Sequence, residues 1–135
     1  MSGTADHAGC GEPPPAALLH AVEQFNHREF FECHETLERA WLAEKRPIRI
    51  LYKGILQIGV GCYHLLRGNY HGAVTKLASG ARYLEPFAPV CQRVRVGLLI
   101  ADARHLHTHL TALGRARIAE ADLSLIPRLT LEDTP

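Results

Sequence analysis

The stretch Phe30-Phe31-Glu32-Cys33-His34-Glu35-Thr36-Leu37-Glu38-Arg39-Ala40-Trp41 has the spacing of a helix that is buried along one side. At about 100° per residue, Phe30, Cys33, Leu37 and Trp41 fall on a single face, and Phe31 and Leu42 lie on a flank beyond it. His34 and Glu38 project between these two apolar groups. They stand four residues apart, so their side chains are neighbours. Polar groups set inside an apolar arc belong in the interior or at a cleft, and there they need partners. Glu35 falls at the edge of the arc, and Glu32 points further toward solvent.

The same periodicity extends on both sides. Leu18, Leu19, Val22 and Phe25 predict a first helix opening at Pro15, where a missing N–H costs nothing. Asn26 is suited to cap the second helix, expected over 28–43. A third helix is predicted from Pro47 to about Arg67. The break Gly68-Asn69 separates it from a fourth, over 70–84. Pro86 ends that one, and Pro89 is expected to open a fifth lasting to Leu113. Its stripe is Val96, Leu99, Ala103, Leu106, Leu110 and Leu113. A short helix over 116–125 and an extended end from Pro127 complete the pattern. No segment alternates as a strand does. The fold class read from this is all-α, about five antiparallel helices in a compact bundle of helical hairpins. A faint echo between 30–37 and 70–77, 40 residues apart, suits paired hairpins. Residues 1–14, with three glycines and the run Pro13-Pro14-Pro15, are expected to form a flexible tail, and 15–135 a single helical domain.

Bulk properties narrow the function. The 135 residues suffice for one domain with a real core. Fifteen Lys and Arg against fourteen Asp and Glu leave a net charge of +1. Such a balance gives no field to gather nucleic acid or an anionic membrane, so neither is expected as a partner. Apolar runs are too short to span a bilayer. No basic-then-apolar leader opens the sequence, and the cysteines at 10, 33, 62 and 91 form no C-x-x-C pair. They are expected to be reduced thiols of a cytoplasmic protein. Cys33 and Cys62, with apolar neighbours, read as core thiols rather than nucleophiles.

The third helix answers the second. Leu51, Ile55, Ile58, Leu65 and Leu66 cover most of its circumference, and Gly54, Gly59 and Gly61 permit close neighbours. The remaining strip carries Lys53, Gln57 and His64, with Val60 between them. If this strip faces the second helix, His34, Glu35 and Glu38 meet Gln57, His64 and Lys53 in a polar pocket suited to proton transfer or ligand binding. The same residues also suit a plainer arrangement, with His34 and Glu38 a satisfied pair and the strip a solvated face. The zincin H-E-x-x-H is not completed after His34-Glu35. Neither Glu32 nor Glu35 has a histidine three residues on, as a di-iron bundle requires. No metal or cofactor is therefore assigned. Asp102, His105 and His109 lie off the apolar stripe and read as surface residues. Phosphate-binding loops and nucleophile elbows are absent.

The segments Phe25-Asn26, Phe31-Glu32-Cys33-His34-Glu35-Thr36-Leu37-Glu38 with Trp41, Gly54-Ile55-Leu56-Gln57 and His64-Leu65-Leu66-Arg67-Gly68-Asn69-Tyr70-His71-Gly72-Ala73 together resemble the family called domain of unknown function 309. The resemblance covers about Leu18 to Leu84. It implies a small all-helical bundle and marks Glu32, His34, Glu35, Glu38, Trp41, Gln57 and His64 as candidate site residues. It implies no reaction. The reading favoured is an uncharacterised binding or protein-interaction module with its polar His/Glu cluster between the second and third helices, joined to a protein partner or to copies of itself. The alternative is a small metal- or ligand-binding enzyme, hydrolase-like, that uses the same cluster.

Overall fold

Five α-helices follow one another in the computed structural model, which describes residues 9–133: α1 (Ala16–Asn26), α2 (Phe30–Ala43), α3 (Arg49–Leu66), α4 (Tyr70–Leu84) and α5 (Val96–Leu113). Each packs against its neighbour in the chain, α1 on α2, α2 on α3, α3 on α4 and α4 on α5. The short connections make consecutive helices antiparallel, and no strand occurs among the described residues. Residues 1–8 of the expected tail lie outside the described residues.

The core is built from most of the predicted stripe residues, but Leu19 of α1 and Leu66 of α3 are exposed. Leu18, Phe25, Leu37, Leu51, Ile55, Ile58, Leu77, Leu84, Leu99 and Leu106 are sealed from solvent. Phe25 and Phe30 meet edge to face with centroids 5.2 Å apart, tying α1 to the start of α2. Helices α3 and α4 come closest, because glycines stand where they cross. A Cβ at Gly80 would lie 3.0 Å from the Gly54 carbonyl oxygen and 2.7 Å from Ile58 Cδ1. Only a residue without a side chain lets the two backbones approach this far.

Several expectations are corrected at the helix ends. Asn26 does not cap α2; it is the last residue of α1. Its amide holds the returning C-terminal strap, donating to Leu129 O at 2.9 Å and accepting from Leu129 N at 2.7 Å. Glu29 occupies the α2 N-cap without a side-chain bond. Helix α3 begins at Arg49, after a turn containing Pro47. Helix α5 begins at Val96, not at Pro89. The intervening chain makes a 3-10 turn over Glu85–Phe87, a cis Ala88–Pro89 bond and a tight turn in which Gln92 and Arg93 both have positive φ. After α5, 3-10 turns cover Arg115–Glu120 and Leu123–Leu125, where one short α-helix was expected. The strap beyond them buries Ile126 and Leu129 and pairs with the 93–95 backbone.

The cysteine assignment also changes. Cys10 and Cys91 form a disulfide across 81 residues, while Cys33 and Cys62 are free and buried. The expectation of four reduced thiols fails because nothing in the sequence shows that the 85–95 turn carries Cys91 back to the start of the chain. That junction has further ties. Gln92 N donates to Cys10 O at 2.7 Å, and Gln92 Nε2 to Gly9 O at 3.3 Å. Tyr52, buried in α3, donates to Gln92 Oε1 at 2.9 Å. Arg46 grips both Glu12 oxygens, at 2.8 and 3.1 Å.

Candidate functional site

The buried arc of α3 leaves Lys53, Gln57, Val60 and His64 half-buried on its outer side, along a groove between α2 and α4. Contacts at the N-terminal end of α3 fix this orientation. Lys53 Nζ lies 5.3 Å from the Trp41 ring of α2 and 4.9 Å from the Tyr83 ring of α4, so one ammonium is sandwiched by two aromatic faces. The Arg49 guanidinium sits 4.5 Å from the Trp41 ring and donates from Nε to the Trp41 carbonyl at 3.4 Å. Trp41 Nε1 is buried without a hydrogen-bond partner. Gln57 turns toward α4, where its Oε1 accepts from Ser79 Oγ.

At the other end the groove deepens into a cleft of about 200 Å³ lined by Phe30, Phe31, His34, Val60, Tyr63 and His64. Phe31 is 54% exposed although its ring lies 6.4 Å from that of Tyr63. Two imidazoles thus stand in an otherwise apolar cleft. His64 is held in place by the start of α4. The Asn69 side-chain oxygen caps that helix by accepting from Gly72 N at 2.9 Å, which turns its amide nitrogen toward His64 Nδ1 at 3.3 Å. Because Asn69 Nδ2 can only donate, Nδ1 of His64 accepts and the ring proton resides on Nε2. The ring rests over Gly72, where a Cβ would approach His64 Cγ and Cδ2 to 2.7 Å. Burial, and then the nearby Lys76 ammonium, lower the His64 pKa from its ordinary 6.5, which favours the neutral ring.

The sequence-derived candidates therefore divide. His34 and His64 share the apolar cleft, and Trp41 and Gln57 lie further along the same groove. Glu38, one turn after His34, is exposed. Glu32 and Glu35 do not reach the groove: they line a separate cleft between α1 and α2, with His20, Gln24, Thr36 and Arg39. Among the described residues, no group of three or more His, Cys, Asp or Glu side chains is arranged to hold a metal ion. Burial pushes the Cys33 and Cys62 thiols up to about 12, as expected for inert core cysteines. Asp102 and His105 line a shallow cleft under the C-terminal strap, and His109 Nε2 accepts from Asp122 N at 2.9 Å.

The sequence reading did not identify Gln24, Tyr63 or Asn69 as site residues. Gln24 sits between Val22 and Phe25 on the buried side of α1, and a polar residue on an apolar face is itself a signal. Asn69 was read as a break between helices. Its spacing from His64 takes on meaning only when the turn folds back.

Residues 18–75 match the family model described as "Domain of unknown function (DUF309)". A relative, described as "Uncharacterized protein YpuF" of Bacillus subtilis (strain 168), is 37% identical over 73 residues, which are 53% of this chain and 42% of that protein. The chain thus spans less than half the length of that relative. No solved structure matches at a significant level. The match runs from the core of α1 through the His64–Asn69–Gly72 turn into α4, and over 18–75 the chain is similar to the family described as Domain of unknown function (DUF309).

Proposed function

We propose that this chain is a protein-interaction module whose binding surface is the groove over α3, and that it receives an acidic segment carrying an apolar anchor. The observation that carries this reading is the open cleft at Phe31, where a ring 54% exposed walls about 200 Å³ of mostly apolar space. A large apolar side chain left this accessible beside a cavity is a feature of surfaces that bury it against a partner. Charge indicates the partner's chemistry. Arg49 and Lys53 lie on aromatic rings along the groove, Arg67 lies over Tyr63, and none of the three closes an ion pair among the described residues. Cations that rest on aromatic rings without an ion-pair partner suit carboxylates arriving with an apolar side chain.

The hydrolase-like alternative needs a carboxylate beside the imidazoles. Glu32 and Glu35 open into another cleft and Glu38 is exposed, so the separation of these groups favours binding over proton transfer. The test is fluorescence anisotropy with two amphipathic peptides that share the same apolar residues, one acidic and one basic. The acidic peptide is expected to bind, and Phe31→Ser to weaken it at least tenfold. Equal binding of both peptides, or no effect of Phe31→Ser, would refute the proposal.

A further inference from the structure

The face of α2 that turns away from the groove forms a second cleft with α1, with a volume of about 440 Å³. This lies in the ordinary range of small-molecule sites, roughly 300 to 1,000 Å³. Helices α1 and α2 run antiparallel through the link at 27–29, so Gln24 and Glu32 occupy one end of the cleft and Ala17 and Arg39 the other. Seven residues separate Glu32 from Arg39, a rise of about 10 Å along the helix axis.

The chemistry of the two ends differs. At the first end, Gln24 is only 9% exposed and its Oε1 has no hydrogen-bond partner. A buried acceptor without a donor is a rare and costly arrangement. Glu32 and Glu35 stand at the same cleft, and neither closes an ion pair among the described residues. At the second end is Arg39. It is one turn after Glu35, yet the two do not pair. The cleft therefore offers acceptors that lack a donor at one end and a cation that lacks an anion at the other, with His20 and Thr36 between them.

We propose that the α1–α2 cleft binds a small linear zwitterion, its ammonium group held by Glu32 and the Gln24 amide oxygen and its carboxylate by Arg39. Opposite charges spaced along roughly two helical turns describe an ω-amino acid or a short peptide, rather than a metal ion or a simple amine. The site is independent of the groove over α3, because it uses the opposite face of α2.

The test is titration of the ¹⁵N-labelled chain with 6-aminohexanoate and with triglycine, the two sources of this chemistry, beside hexylamine and hexanoate as single-ended controls. A zwitterion is expected to shift amide resonances of α1 and α2 and to bind at least tenfold more tightly than either control. Arg39→Gln, at an exposed position, and Gln24→Leu are each expected to weaken it at least tenfold. If Gln24→Leu fails to fold, Arg39→Gln and Glu32→Gln carry the decision. Preference for 6-aminohexanoate identifies a free ω-amino acid, and preference for triglycine a peptide. Hexylamine binding as tightly as the zwitterions would reduce the site to an acidic patch and overturn the proposal. So would the absence of zwitterion binding, or undiminished binding to the folded variants.

Discussion

Asn69 serves two helices with one amide: its oxygen caps α4 at Gly72 N, and its nitrogen faces Nδ1 of His64 at the end of α3. The cap and the tautomer of a cleft histidine are thereby coupled. In Asn69→Asp the cap survives, since aspartate is as good an N-cap as asparagine. The donor to Nδ1 becomes an acceptor, so the His64 pKa is expected to rise from its lowered value. In the native protein the folded-state pKa lies below the unfolded 6.5. The folded state therefore binds fewer protons, and this contribution is present above pH 6.5 and is lost as pH falls through the folded value. NMR titration of the His64 ring checks the shift, and urea midpoints on either side of pH 6.5 check the sign. An unchanged titration in Asn69→Asp would show that the amide does not govern the ring.

Gly72→Ala puts a methyl 2.7 Å from His64 Cγ and Cδ2 and 2.8 Å from Asn69 Nδ2. Overpacking of this kind costs about 1–3 kcal/mol, against roughly 1 kcal/mol gained from alanine in a helix. The expected net effect is destabilisation, relieved in the double variant Gly72→Ala, His64→Ala. Denaturant unfolding of the single and double variants checks it; equal losses would mean that the imidazole is not the obstacle.

Gly80→Ala is expected to cost more than an exposed helical glycine-to-alanine change ever gains. Its Cβ would meet Gly54 O at 3.0 Å, a backbone atom that moves only if α3 and α4 separate. A loss of about 1–3 kcal/mol is expected from chemical denaturation. A more stable variant would mean that the crossing is looser than described.

The Cys10–Cys91 bond predicts a thiol count. Without reductant the native protein should expose no reactive thiol, because Cys33 and Cys62 are buried, and the denatured protein should show two. Four reactive thiols in unreduced, denatured protein would remove the disulfide from this account. Cys10→Ser with Cys91→Ser opens a closed loop of 81 residues and is expected to cost roughly 2–5 kcal/mol by thermal or urea unfolding.

Arg46 holds the Glu44 carboxyl down to about 2, chiefly through a side-chain hydrogen bond, and lowers Glu12 in the same way. With folded pKa values below 4.5, these carboxylates support the fold above that pH. Their support is lost as pH falls toward the folded values. Glu12 is exposed and Glu44 only partly covered, so solvent screens both pairs and the effect on stability is small. The clearer readout is the Glu44 titration itself, which in Arg46→Gln is expected to return toward 4.5.

How much of this was legible in the sequence depends on how local each feature is. The span of α2 follows from Phe30, Cys33, Leu37 and Trp41, which share a face through the geometry of a single helix. The orientation of the Lys53–Gln57–His64 strip does not, since the strip lies between two neighbours. Gln57 found Ser79 on α4 rather than a partner on α2. The strip is neither wholly core nor wholly solvated face, because α2 and α4 flank α3 without closing over it.

The sequence by itself determined an all-α fold and the helices that carry the apolar stripes. Helical periodicity is a property of neighbours three and four positions apart, so the amino-acid order contains it. Tertiary structure alone decided that Glu32 and Glu35 part from His34 and His64 into different clefts, that Asn26 ties down Leu129, and that Cys10 meets Cys91. Each of these depends on how one element is rotated against another, or on where a turn sends the chain. Those are set by packing between residues far apart in sequence, which no local spacing records.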